Sequence, residues 1–270
     1  MTLKGCMMML NLLSLRDLTI VVRDSSNEKI LVDRLNLDIP PLKIVALVGG
    51  SGSGKTTTGL SILRLLSPAL RIAQGEIIFR GNDLLAYCEE KMRGIRGKEI
   101  GMVFQEPLNA FNPVFTVGYQ IAEVLKTHTD FSREKIQERV EELLKIVGIK
   151  EPQRIARSYP HQLSGGLRQR AMLAQAIAGG PQLLIADEPT SNLDVTSQAH
   201  IIELFRTLKD ELKISMLLIT HDLGMVAHLA DEVAVLLNGK VVESGSTTEI
   251  LGSPKHPYTL QLMKTMLVEK

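Results

Sequence analysis

Gly49, Gly54, Lys55 and Thr56 stand in the run "GGSGSGKTT" (49–57), with four residues between the two glycines. That is the P-loop pattern, which chance produces on the order of once per hundred chains of this size. Its glycines let backbone N–H groups curl around a phosphate, its lysine reaches the outer phosphates, and its threonine hydroxyl suits Mg2+. Further on, "LLIADEP" uses four apolar residues to deliver Asp187 and Glu188. At the C-terminal edge of a strand, where ligands of open α/β sheets gather, Asp187 can hold a magnesium shell and Glu188 can polarise a water. A third element, "YPHQLSGGLRQRAMLAQAIA" (159–178), puts a Ser-Gly-Gly turn directly before a helix-like run. Helix N-terminal amides attract anions, so this turn also reads phosphate, more than a hundred residues beyond the first.

Such side chains need strands and helices to hold them. "KIVALVG" (43–49) is a buried-strand candidate feeding the glycine loop, and "TTTGLSILRLL" after it is helical. "PQLLIADEP" (181–189), "SMLLITHD" (215–222) and "EVAVLLNGKVVESG" (232–245) supply further strands, the last with a hairpin signal at Asn238-Gly239. "LSLRDLTIVV" and "GEIIFRGNDL" have a more antiparallel character. In "FSREKIQERVEELLKIVGI", Ile136, Val140, Leu143, Leu144 and Val147 trace one helix face, with Ser132 as N-cap and Gly148 as stop. "FQEPLNAFNPVFTVGYQI" before it is a loop punctuated by proline and asparagine, with exposed aromatics. The alternation of short apolar runs and helices is that of an α/β domain. The expected layout is a single domain over 1–270. Its core and antiparallel β subdomain occupy 10–89 and 164–250, a helical subdomain occupies 90–163, and a tail occupies 251–270.

Bulk composition sets limits on function. The 270 residues are 44% hydrophobic and 23% charged, ordinary for a folded protein. A formal net charge of +1 gives no bias toward nucleic acid. Cys6 and Cys88 lie far apart without metal-ligand spacing, which fits a reducing compartment. No run approaches the roughly 20 apolar residues of a membrane helix. "MTLKGCMMMLNLL" is expected to be a leader whose true start is Met7, Met8 or Met9, since no small-residue cleavage site precedes Arg16-Asp17.

Taken together, these motifs resemble the ATP-binding subunits of ABC transporters over nearly the whole chain. The likeness rests on "GGSGSGKTT", the Q-loop Gln105 in "GMVFQEP", the signature "LSGGLRQR", "LLIADEPT", the D-loop "SNLD" (191–194) and the switch His221 in "LLITHD". It implies a P-loop NTPase core, with ATP held by Gly49, Gly50, Ser51, Gly52, Ser53, Gly54, Lys55, Thr56 and Thr57. Thr56, Gln105 and Asp187 would position Mg2+. Glu188 would be the general base, with His221 at the γ-phosphate and Gln105 in the catalytic group. Taken singly, His221 could be a strand-end histidine and Gln105 a loop hydrogen-bonder. The resemblance also implies two subunits facing head to tail, so that Ser164, Gly165 and Gly166 meet the partner's ATP.

"NPVFTVGYQI" and "SPKHPYTLQLM" (253–263) resemble the oligopeptide/dipeptide/nickel importer branch, and "ALVGGSGSGK" and "LADEVAVLLNGKVVESG" resemble its nickel-type members. The partners implied are a second ATP-binding subunit, identical or not, integral permease subunits and, indirectly, a solute-binding protein. The place implied is the cytoplasmic face of the cell membrane, as a peripheral subunit. Phe111 and Phe115, in the loop 106–121, are candidates for the permease contact. The chain departs from the family at Leu167, where the signature has glutamine, and at Val22, where an aromatic stacks on adenine. It ends at Lys270 without the cysteines of peptide-importing members, so no iron–sulfur cluster is expected. Competing functions are a soluble ABC ATPase acting on nucleic acid or ribosomes and a non-hydrolysing partner subunit. A long coiled-coil insertion would mark the first, and loss of Glu188 or His221 the second.

Overall fold

The computed structural model describes residues 11–23, 28–106, 110–191 and 193–268. The expected leader over 1–9, Cys6, Asn192 of "SNLD" and Lys270 lie outside them. Two sheets form the frame. The first is antiparallel, with order β2-β1-β4-β5, from β1 (Leu13–Val22), β2 (Lys29–Ile39), β4 (Leu70–Phe79) and β5 (Asn82–Asp83). The second has order β10-β9-β3-β8-β7-β6, from β3 (Ile44–Val48), β6 (Ile100–Val103), β7 (Leu183–Asp187), β8 (Ser215–Thr220), β9 (Glu232–Leu237) and β10 (Lys240–Ser246). All its pairings are parallel except β9–β10, which is antiparallel.

β3, β7 and β8 are buried at every residue, as parallel strands covered on both faces must be. Side chains alternate between faces along a strand, and this alternation divides the interior in two. Val45, Leu47, Ile185, Leu217 and Ile219 join the strands of the antiparallel sheet and Ile62 of α1 (Lys55–Ile62) in one core. Ile44, Ala46, Val48, Leu184, Ala186 and Leu218 face the other way, into a core made with helices. Those helices include α3 (Val117–His128), α4 (Arg133–Ile146), α5 (Pro152–Arg157) and α6 (Gly165–Ile177); α2 (Glu89–Ile95) precedes them in sequence. The remaining helices are α7 (Val195–Leu212), α8 (Leu223–Leu229), α9 (Thr247–Gly252) and α10 (Pro257–Val268).

The local signals act as their chemistry requires. Ser132 caps α4, its hydroxyl accepting the Lys135 N–H at 3.3 Å, and Gly148 follows the helix with φ +75. Ile136, Val140, Leu143, Leu144 and Val147 all enter the helix-side core. Asn238 and Gly239 both take positive φ, 49 and 80, as a two-residue turn between β9 and β10 needs.

The loop after β6 departs from expectation. Gln120 of α3 is buried and clamps it: its Oε1 accepts the Asn112 N–H at 2.8 Å, and its Nε2 donates to the Asn112 and Phe115 carbonyls at 3.1 Å each. So held, the chain directs Phe111 into the helix-side core at 3% exposure, whereas Phe115 remains 40% exposed. Phe111 is therefore a packing residue, and the expectation that it faces a partner is corrected.

Candidate functional site

β3 ends at Val48, and the chain turns through the glycine loop into α1. Gly54, the residue capping α1, has φ +105, a conformation that strains any residue with a Cβ, and an added Cβ would also stand 3.1 Å from the Leu31 carbonyl. Lys55, the first residue of α1, is buried; its Nζ donates to the Gly49 carbonyl at 2.8 Å and the Gly50 carbonyl at 3.0 Å. Burial holds the Lys55 pKa below the ordinary lysine value, while the Glu188 and Asp187 charges act in the opposite direction. The loop is fixed from outside by the β9–β10 turn, where the Gly239 N–H donates to the Ser53 carbonyl at 3.0 Å. It encloses a cavity of about 320 Å³, lined by residues 51–57 with Leu31, Gln105 and Glu188.

β7 lies beside β8, and β8 beside β3, which brings the acidic pair to the glycine loop. Asp187, 2% exposed, accepts the Thr56 hydroxyl at 3.0 Å. Burial pushes its pKa up to about 6; the Glu188 charge adds to this, and the Thr56 hydrogen bond and the Lys55 charge oppose it. A buried carboxylate short of positive charge beside a hydroxyl oxygen is a donor set that suits Mg2+. Glu188 takes φ +46, a left-handed conformation uncommon outside glycine. Its N–H donates to the Ile219 carbonyl at 2.8 Å, and its own carbonyl accepts the Ser191 N–H at 3.1 Å and hydroxyl at 2.8 Å. These bonds hold its side chain in place. Oε1 meets His221 Nδ1 at 2.8 Å, and Oε2 accepts the Thr220 hydroxyl at 3.3 Å. Gln105 is exposed at the cavity's edge, its carbonyl accepting the Ser191 hydroxyl at 3.4 Å.

Ser164, Gly165 and Gly166 do not line this cavity. Ser164 caps α6, its hydroxyl accepting the Leu167 N–H at 3.4 Å, so the helix begins at Gly165, two residues earlier than the run suggests. Ser164 and Gly165 are exposed, and Leu167 turns inward to pack on the helix-side core. Three further residues, none of them expected at the site, stand there: Leu31 at the cavity wall, Thr220 beneath Glu188, and Tyr258, whose hydroxyl accepts the Gly50 N–H at 2.7 Å. Thr220 precedes the switch histidine and could have been proposed as its support. No short-range signal points to the other two.

A family model described as ABC transporter matches residues 32–191. The chain belongs to the ABC transporter family. It is 48% identical over 261 residues to a putative peptide import ATP-binding protein of Brucella ovis, covering 94% of this chain and 77% of that one. It is 45% identical to the oligopeptide transport ATP-binding protein OppD of Bacillus subtilis, over 94% of this chain and 72% of the relative. With the peptidoglycan transport ATP-binding protein YejF of Agrobacterium fabrum it shares 47% identity over 93% of its own length, but spans only 46% of that relative. Among solved structures it is similar to a dimeric ATP-binding cassette in a post-hydrolysis state bound to ADP and Pi. The TM-score is 0.78 at 27% identity, over 87% of this chain and 98% of that one. It is also similar to cbiO1 from Clostridium perfringens, part of an ABC transporter complex, with TM-score 0.76 at 26% identity over 96% and 99% of the two chains. The ABC chain thus has the P-loop ABC ATPase fold and, as an ABC ATPase, binds ATP. No helix among the described residues is long and apolar enough to cross a membrane.

Proposed function

We propose that this ABC chain is the ATP-hydrolysing, energy-coupling subunit of an importer, with peptides as the transported solute. The observation that carries the reading is the convergence of three elements on one cavity: the glycine loop with Lys55, the Thr56–Asp187 pair, and Glu188 held by Thr220 and His221. The amides of 51–57 and Lys55 hold the ATP phosphates, Lys55 exchanging its carbonyl partners for phosphate oxygens. Thr56, Asp187 and Gln105 would hold Mg2+, which would supply neutralisation of the phosphate charge. Glu188 accepts a proton from the attacking water, and His221 orients the carboxylate and reaches the γ-phosphate. Catalysis is by positioning and charge, without a covalent intermediate.

The turn at Ser164, Gly165 and Gly166, exposed at its first two residues, serves the ATP of a second subunit, consistent with its absence from its own chain's cavity. The segment 90–163 is the permease-facing unit. Phe115 stacks on Tyr119 with ring centroids 4.7 Å apart, and both are exposed. Phe104, also exposed, opens a cavity of about 190 Å³ with Leu65, Ala110 and Val124. These apolar groups suit a cytoplasmic helix of a membrane subunit and would hold the chain at the inner face of the membrane. Peptide import is favoured by the names of the relatives. In a reconstituted complex with permease and solute-binding protein, peptides should stimulate ATP hydrolysis. Stimulation by a nickel chelate alone would move the solute to the metal class, and no hydrolysis in any complex would overturn the reading.

A further inference from the structure

The segment "SPKHPYTLQLM" has no part in the chemistry above, yet it touches the glycine loop. Lys255 and His256 donate their N–H groups to the two carboxylate oxygens of Glu243, at 2.7 and 3.1 Å, which ties the start of the segment to β10. Tyr258 donates its own N–H to His256 Nδ1 at 3.2 Å, and the half-buried Tyr258 ring then carries its hydroxyl to the Gly50 N–H, 2.7 Å away and 208 residues earlier in the chain. The approach is close, since a Cβ built on Gly50 would stand 3.1 Å from that oxygen.

The other side of the same peptide group, the Gly49 carbonyl, accepts Lys55 Nζ at 2.8 Å, and Lys55 also engages the next carbonyl along. The Gly50 carbonyl accepts Lys55 Nζ at 3.0 Å and the Ser53 N–H at 3.3 Å. When Lys55 turns to the phosphates, the Gly49 and Gly50 carbonyls both lose their charged partner, and Gly50 keeps the long Ser53 bond. The loop must nevertheless hold its curl, because its amides bind the anion only while they converge. A backbone N–H away from water needs an acceptor in either state.

We propose that Tyr258 is a positioning residue for ATP. Its hydroxyl clamps the Gly49–Gly50 peptide so that the loop stays formed when Lys55 leaves, and the C-terminal segment thereby sets nucleotide affinity. This rests on the glycine loop being the ATP site.

The test is a cycle in the full chain, read by titration of a fluorescent ATP analogue with Mg2+ and by steady-state hydrolysis. Tyr258→Phe keeps the ring and removes the acceptor; it should weaken nucleotide binding about five- to tenfold and raise KM with little change in kcat. Gly50→Pro removes the N–H, so Tyr258→Phe added to Gly50→Pro should weaken binding no further. Unchanged affinity in Tyr258→Phe, or an equal loss in both backgrounds, would overturn the clamp. A fall in melting temperature without a change in affinity would reduce Tyr258 to a structural role and also overturn it. Lys55→Ala separates the two levels. If it leaves binding intact, the ATP site itself is wrong; if it abolishes binding while Tyr258→Phe does not weaken it, only the clamp fails.

Discussion

Asp187 shows at the residue scale how a buried charge is held against folding. Its carboxyl is buried and its pKa is raised from 3.8 to about 6, so ionisation is harder in the folded chain than in the unfolded one. The sign follows. Below pH ~3.8 the group is protonated in both states and costs nothing; above pH ~6 it is charged in both, and the folded state carries the penalty. The nucleotide-free protein should therefore gain stability from this group as pH falls from about 6 toward 4. Asp187→Asn removes the charge and retains a partner for the Thr56 hydroxyl. At pH 7 it should stabilise the nucleotide-free chain by about 1–2 kcal/mol while abolishing Mg2+-dependent ATP binding. Thermal melts of both proteins across that pH window, with and without MgATP, check both halves. Glu188 carries a different cost, its left-handed backbone, which the bonds to Ile219 and Ser191 sustain.

At the scale of elements, the helices of the 90–163 segment are joined by close backbone contact as well as by apolar side chains. Gly118 of α3 lies against Ala156 of α5, where an added Cβ would come within 2.8 Å of a backbone carbonyl. A backbone atom cannot swing aside as a side chain can. Gly118→Ala should therefore push α3 from α5 and destabilise the chain by about 1–3 kcal/mol, seen as a lower urea midpoint. If these helices form the permease face, the same variant should lose solute-stimulated hydrolysis more than basal hydrolysis. α6 differs: Ser164 caps it from within, its hydroxyl accepting the Leu167 N–H of the first turn.

For the molecule as a whole, the glycine loop and the Ser164–Gly166 turn lie apart, and of the two only the glycine loop lines the cavity proposed for ATP. A second copy or a related subunit can complete both sites at once. ATP that binds the closed pair more tightly must drive association, and hydrolysis must release it. Glu188→Gln should slow turnover by about 100-fold or more while leaving ATP binding intact, so that a dimer accumulates with ATP and dissolves with ADP. Size-exclusion chromatography with each nucleotide reads this directly. Undiminished turnover in the variant would remove Glu188 from the role of base.

The sequence alone carried the glycine loop, the acidic pair, the signature turn and the central strands, because each is a short-range device. A turn that needs glycine, a helix cap or a run of buried strand residues is written within a few consecutive positions. Which face each strand residue would take was not legible, since β3, β7 and β8 are apolar throughout and offer no alternation to read. Phe111 and Phe115 looked alike in one loop; Gln120, by clamping the backbone between them, buried the first and left the second out. The hold of Thr220 and His221 on Glu188, the wall made by Leu31 and the reach of Tyr258 to Gly50 depend on strands and helices that meet only after the two sheets pack. Nothing local constrains such pairs. Their geometry is set by the summed packing of the whole chain, which only the tertiary structure decides.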